Sequence, residues 1–172
     1  MFAERVVILY HKPMTQLPHE HPLRLAKLLS ANKVVFLSEI PSKKELFKNL
    51  VRIACPSADP QEITDWAMHI CKREESVSMV LNTGLAIPHA RIEGLDEFKV
   101  ALALFENPVI FSENRKIQAM FLFMSPDNPA FFASHLQLLS LVTKTFTHDC
   151  IVQLAAAKTP ARVVEYFKQK GI

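Results

Sequence analysis

Two runs of eight residues, FKVALALF at 98–105 and IQAMFLFM at 117–124, constrain the chain more than any other feature. Each is far too short to cross a membrane as a helix, and each is apolar enough to need cover on at least one face. Their density of β-branched and aromatic residues predicts two strands that helices must cover. The segment between them, ENPVIFSENRK at 106–116, is rich in turn formers. FENPVIF at 105–111 is therefore expected to make the turn into the second strand.

The covering helices are legible in the spacing. IPSKKELFKNLVRIAC at 40–55 sets Leu46, Phe47, Leu50, Val51 and Ala54 three and four residues apart, behind Ser42 as a candidate N-cap. Residues 60–75 place Ile63, Trp66, Ala67, Ile70 and Cys71 on one face of a second helix, which ends among Lys72, Arg73, Glu74 and Glu75. Upstream, PLRLAKLLS at 22–30 has a short helical pattern and KVVFL at 33–37 reads as a strand. After Phe131 the pattern is helical again, with Leu136, Leu139, Val142 and Phe146 expected to face the core, then shorter helices near 149–157 and 160–169. Helices on both sides of a block of strands predict an α/β (α+β) fold of three layers, α/β/α, around a central mixed sheet.

With 172 residues and 49% hydrophobic composition, one domain over 22–172 can bury a real core, preceded by an irregular N-terminal extension over 1–21. The net charge of +3 comes from 20 basic and 17 acidic residues mixed along the chain, which argues against nucleic acid as a partner. No apolar stretch is long enough for membrane insertion, and Val6–Tyr10 is too short for a signal-peptide core, so the expected location is the cytoplasm. Cys55, Cys71 and Cys150 include no CxxC pair; reduced, buried thiols are expected, with no zinc site and no disulfide. The irregular spacing of His11, His19 and His21 does not suggest a metal site.

The chemistry concentrates in TGLAIPHAR at 83–91. Gly84 allows close backbone approach and Pro88 fixes φ, so the strand-like Leu85–Ile87 is expected to deliver His89 to a rigid exit at the end of a sheet. Imidazole is the side chain poised near neutral pH to act as an uncharged nucleophile, provided one ring nitrogen is held and the other is free. A lone histidine after proline reads first as a turn residue bonded to a backbone carbonyl. Its neighbours in the sequence decide.

Arg73 lies sixteen residues upstream in REESVSMVLNTGLAIPHA, and His135 lies 46 residues downstream, opening HLQLLSLV. Over about residues 23–170 this constellation resembles the mannitol, fructose and nitrogen-regulatory class of enzyme IIA domains of the bacterial phosphoenolpyruvate-dependent phosphotransferase system. The resemblance implies that His89 accepts a phosphoryl group from the histidine-phosphocarrier protein HPr, that Arg73 clamps the phosphate and that His135 is the supporting histidine. It implies covalent phosphate in place of any cofactor or metal, and a IIB domain or a regulatory target as the downstream partner. The stretch HLQLLSLVTKTFTHDCIVQLAAAKTPARVVEYF looks most like the freestanding nitrogen-regulatory branch. A freestanding sugar-transport IIA that passes phosphate to a IIB cysteine is the alternative.

Three positions depart from the family pattern: Met79 where threonine is usual, Asn82 where glycine is usual, and Ala90 where glycine is common. Asparagine is the best substitute for glycine at positive φ, so Asn82 is expected to keep that turn. His69 is expected at a helix surface and His148 in a turn between helices. Phe131 and Phe132, just before His135, are candidates for an exposed partner-docking surface.

Overall fold

The two apolar runs pair with each other and become the centre of a five-stranded sheet. In the computed structural model, which describes residues 23–40, 42–112 and 114–172, the elements in chain order are α1 (Leu25–Leu28), β1 (Val34–Leu37), α2 (Lys43–Ala54), α3 (Pro60–Ser76), β2 (Leu85–Ala86), β3 (His89–Ile92), β4 (Lys99–Ser112), β5 (Arg115–Pro126), α4 (Phe132–Thr145), α5 (His148–Ala156) and α6 (Pro160–Lys170). The extension expected over 1–21, with His11, His19 and His21, lies outside the described residues. The sheet order is β1-β4-β5-β2, and β3 also pairs with β5. β4 and β5 are antiparallel, whereas β1 runs parallel to β4 and both β2 and β3 run parallel to β5. The sheet is mixed and helices cover both faces, as expected.

Because side chains alternate along a strand, the hairpin feeds two separate cores. Val100, Leu102 and Leu104 with Ala119, Phe121 and Phe123 face α1, α4, α5 and α6. Ala101, Ala103 and Phe105 with Met120, Leu122 and Met124 face α2 and α3. The expected stripe on α2 is buried residue for residue, and the Ser42 side chain accepts from the Glu45 N–H. α3 is opened by Asp59 in a capping box with Glu62, and proline stands at its first position.

Several expectations change. FENPVIF is not the turn: β4 runs on to Ser112 with a register shift between Leu104 and Val109, which is how Pro108, lacking an N–H, is accommodated. The reversal lies between Ser112 and Arg115, where Asn114 takes a φ of 63°. On α4, Leu136 is exposed and Leu138 fully buried, because His135, Leu138 and Val142 form the inward stripe. His148 is the first residue of α5 and follows the Thr147 cap; it does not sit in a turn. Phe131 is buried against Phe98, leaving only Phe132 exposed of that pair. All three cysteines are free, but Cys71 is only partly buried.

Candidate functional site

The edge of the sheet beside β5 is interrupted, and the interruption builds the site. β2 pairs with Ala119 and Met120, β3 pairs with Phe123 to Pro126, and between them Ile87 and Pro88 leave the strand path. Pro88 fits there because only its carbonyl is needed, accepting from the Phe123 N–H at 3.1 Å. His89 is therefore the first residue of a new strand; it is not at a sheet exit. Gly84, at φ 86°, starts the segment in a conformation costly for other residues. Asn82 keeps an ordinary negative φ, so the expectation of a positive-φ turn there is wrong.

His89 is 7% exposed and held on three sides. Its ring lies parallel to that of Phe123, with centroids 5.0 Å apart and an interplanar angle of 5°. Nδ1 is 2.8 Å from the Ile87 carbonyl oxygen. A carbonyl can only accept, so Nδ1 carries the proton and Nε2 the lone pair. The carbonyl bond expected of a turn histidine is present although His89 opens a strand, and it leaves Nε2 without a proton. Nε2 faces the Arg73 guanidinium, 3.4 Å away, which donates from the last turn of α3. Burial pushes the imidazole below its usual value; the Arg73 charge adds to this and the Ile87 carbonyl opposes it. At neutral pH the ring is an uncharged base with its lone pair presented.

His135 comes from α4, 6% exposed. Its ring centroid is 5.3 Å from that of His89 and 5.2 Å from that of Phe123. Nδ1 lies 2.7 Å from Oγ of Ser125, a fully buried residue at the end of β5. Burial drives His135 down to about 4, with further electrostatic lowering from His89, whose protonation competes with its own, and from the Arg73 and Arg91 charges. The structure thus brings Arg73, His89 and His135 together.

Four contributors escaped the sequence reading. Phe123 is the platform under His89 and Ser125 the partner of His135; both belong to the alternate residues of β5 that face α4. Their parity was readable, but not which histidines would meet them. Arg91 is paired with Asp127 at 3.0 Å and lies over the half-exposed Phe132 ring at 5.6 Å from its centroid. Glu74, next to Arg73, is buried, accepts from the Met79 N–H and is raised in pKa by burial. Met79 works here through its backbone, since its carbonyl also accepts from the Ile87 N–H. Ala90 points away from the site into the core beneath α2 and α3.

Residues 27–170 match the family model described as phosphoenolpyruvate-dependent sugar phosphotransferase system, EIIA 2. The chain belongs to that family. Its fold is similar to the nitrogen regulatory protein IIA-Ntr of Neisseria meningitidis, at 23% identity and a TM-score of 0.67, over 83% of this chain and 97% of that one. It is also similar to the mannitol IIA of Escherichia coli, at 18% identity and a TM-score of 0.63, over 81% and 98% of the two chains. A third similar structure is the complex of the E. coli mannitol IIA with phosphorylated IIB, at 16% identity and a TM-score of 0.62, over 82% and 97%. No curated protein sequence matches the chain. Members of the EIIA family act in phosphoryl transfer. Among the described residues no helix is long and apolar enough to cross a membrane, and no group of three His, Cys, Asp or Glu side chains is gathered for a metal ion.

Proposed function

We propose that the protein is a phosphohistidine carrier that takes a phosphoryl group from phospho-HPr onto Nε2 of His89, in the cytoplasm and without metal or cofactor. The observation that carries this reading is the fixed tautomer: the Ile87 carbonyl holds the Nδ1 proton while Nε2 points its lone pair at Arg73. Attack by that lone pair forms the new P–N bond, and the electron pair of the old P–N bond returns to the donor's nitrogen. No proton has to leave His89 in this step. The long N–H···N contact from Arg73 gives way to shorter bonds to phosphoryl oxygens, where a planar guanidinium binds best. His135 supports the phosphoryl group from the α4 side. In the onward step a thiolate attacks phosphorus and the P–N electron pair returns to Nε2.

The favoured role is regulatory, with the phosphorylation state of His89 deciding which target is bound. Its support is the similarity of the C-terminal stretch to the nitrogen-regulatory branch. The second reading, a sugar-transport IIA delivering to a IIB cysteine, is supported by the solved partnership of the mannitol IIA with phosphorylated IIB. Incubation with phosphoenolpyruvate, enzyme I and HPr should label His89 with acid-labile, base-stable phosphate. Labelling that maps to another residue would refute the phosphoacceptor assignment. Transfer of that label to a fructose- or mannitol-type IIB domain would select transport. A partner captured from native cytoplasm by one phosphorylation state alone would select regulation.

A further inference from the structure

The two site histidines are held by different kinds of group. His89 meets a carbonyl, which fixes its proton outright, whereas His135 meets a hydroxyl, which can give or take. The surroundings of that hydroxyl settle the direction. Ser125 has no exposed surface, and its Oγ makes no other hydrogen bond among the described residues. If His135 donated from Nδ1, the hydroxyl proton would be left buried without an acceptor. With Ser125 as donor, the hydroxyl proton is satisfied by the Nδ1 lone pair.

We infer that Ser125 is a positioning residue: its hydroxyl donates to Nδ1 of His135 and so fixes the neutral tautomer that carries its proton on Nε2. This rests on the phosphocarrier reading, because the value of that tautomer lies in what it offers a phosphoryl group. Nε2 of His135 has no hydrogen-bond partner among the described residues, and its ring lies 5.3 Å from His89 between centroids. A proton there donates to a phosphoryl oxygen. The other tautomer would turn a lone pair toward the same oxygens, so an imidazole kept neutral by burial serves phosphate in one tautomer only. Ser125 lies opposite Arg91 in the β3–β5 register, two residues beyond Phe123, so one face of one strand supplies both the platform for His89 and the tautomer lock for His135.

Long-range proton–nitrogen correlation spectra of the full chain with ¹⁵N-labelled histidine test this directly. At neutral pH His135 should show a protonated Nε2 and a bare Nδ1; a protonated Nδ1 overturns the inference. Ser125→Ala should convert His135 to a tautomer mixture, and Ser125→Thr, which keeps the hydroxyl, should restore the single form. Loading His89 with phosphoramidate should move the His135 Nε2–H signal downfield in the wild type, and an unmoved signal also overturns the inference. The equilibrium with phospho-HPr should shift against the carrier by about tenfold in Ser125→Ala, the worth of one hydrogen bond, and recover in Ser125→Thr. Failure of phospho-HPr to label His89 would defeat the carrier reading alone, since the phosphoramidate arm and the tautomer spectra do not depend on HPr.

Discussion

The two faces of the sheet differ in how many alanines their strands present. Toward α2 and α3 the strands set four alanines, Ala86, Ala90, Ala101 and Ala103, among larger residues such as Phe105, Met120 and Leu122, and the helices add Leu46, Phe47 and Leu50. Toward α4, α5 and α6 the strands themselves carry Phe121 and Phe123, with a single strand alanine, Ala119. Small strand residues let a helix lie close, which suits a face whose work is cohesion. Large aromatic strand residues make a flat, stiff surface, and His89 uses it as a bed. The site belongs to the aromatic face, except that Arg73 is carried by the helix covering the other one. A helix from the cohesive face thus supplies the charge.

This contrast predicts that the faces fail differently. The largest effect is expected from His89→Ala, which should abolish phosphorylation by phospho-HPr while the chain still unfolds cooperatively; labelling and thermal melting measure the two halves. Next comes Phe47→Ala on the cohesive face, which should cost about 3–5 kcal/mol of stability by leaving a cavity. Phosphorylation well below its melting temperature should stay within about twofold of wild type. A large loss of transfer in a fully folded Phe47→Ala protein would show that the faces are not separable. Arg73→Ala should slow transfer about a hundredfold in both directions, close to 2.7 kcal/mol of barrier, with little change in melting. A wild-type rate from the folded variant removes the clamp.

The smallest effect concerns pH. The unfolded chain binds a proton at each histidine near its ordinary value of about 6.5, while native His135 resists until about 4. Between those values the unfolded state holds more protons, so the His135 contribution lowers stability as pH falls through that window. Glu74, raised by burial, works in the opposite sense and gains on acidification. The clean observable is therefore the difference between wild type and His135→Gln: urea denaturation across the window should show stability falling more steeply with acid in the wild type. Parallel curves would mean that His135 titrates normally in the folded protein.

Local periodicity carried most of the fold. The buried stripe of α2 and its Ser42 cap depend on neighbours within four residues, and the structure returns both. The motif around His89 was legible for another reason, since a backbone that positions a reactive ring needs glycine and proline at fixed offsets. What failed was what tertiary pairing decides. A strand continues through Pro108 because β5 offers a register shift there. Leu136 and Leu138 are alike in sequence, and only the rotation of α4 about its axis chooses between them. The Ser125–His135 contact joins a strand end to a helix start, a pairing that periodicity does not encode.

The stacked clasp on His89 has a consequence for traffic through the site. A pyridine-type nitrogen offers its lone pair in one direction, in the plane of the ring, and that plane is pinned by Phe123 beneath and the Ile87 carbonyl behind. On the carrier reading, whatever delivers phosphate and whatever collects it must queue for the same approach, on the side guarded by Arg73. Donor and collector then exclude one another. An excess of unphosphorylated HPr should act as a competitor of the collector, so the protein's output tracks the ratio of the two partners as well as the supply of phosphate.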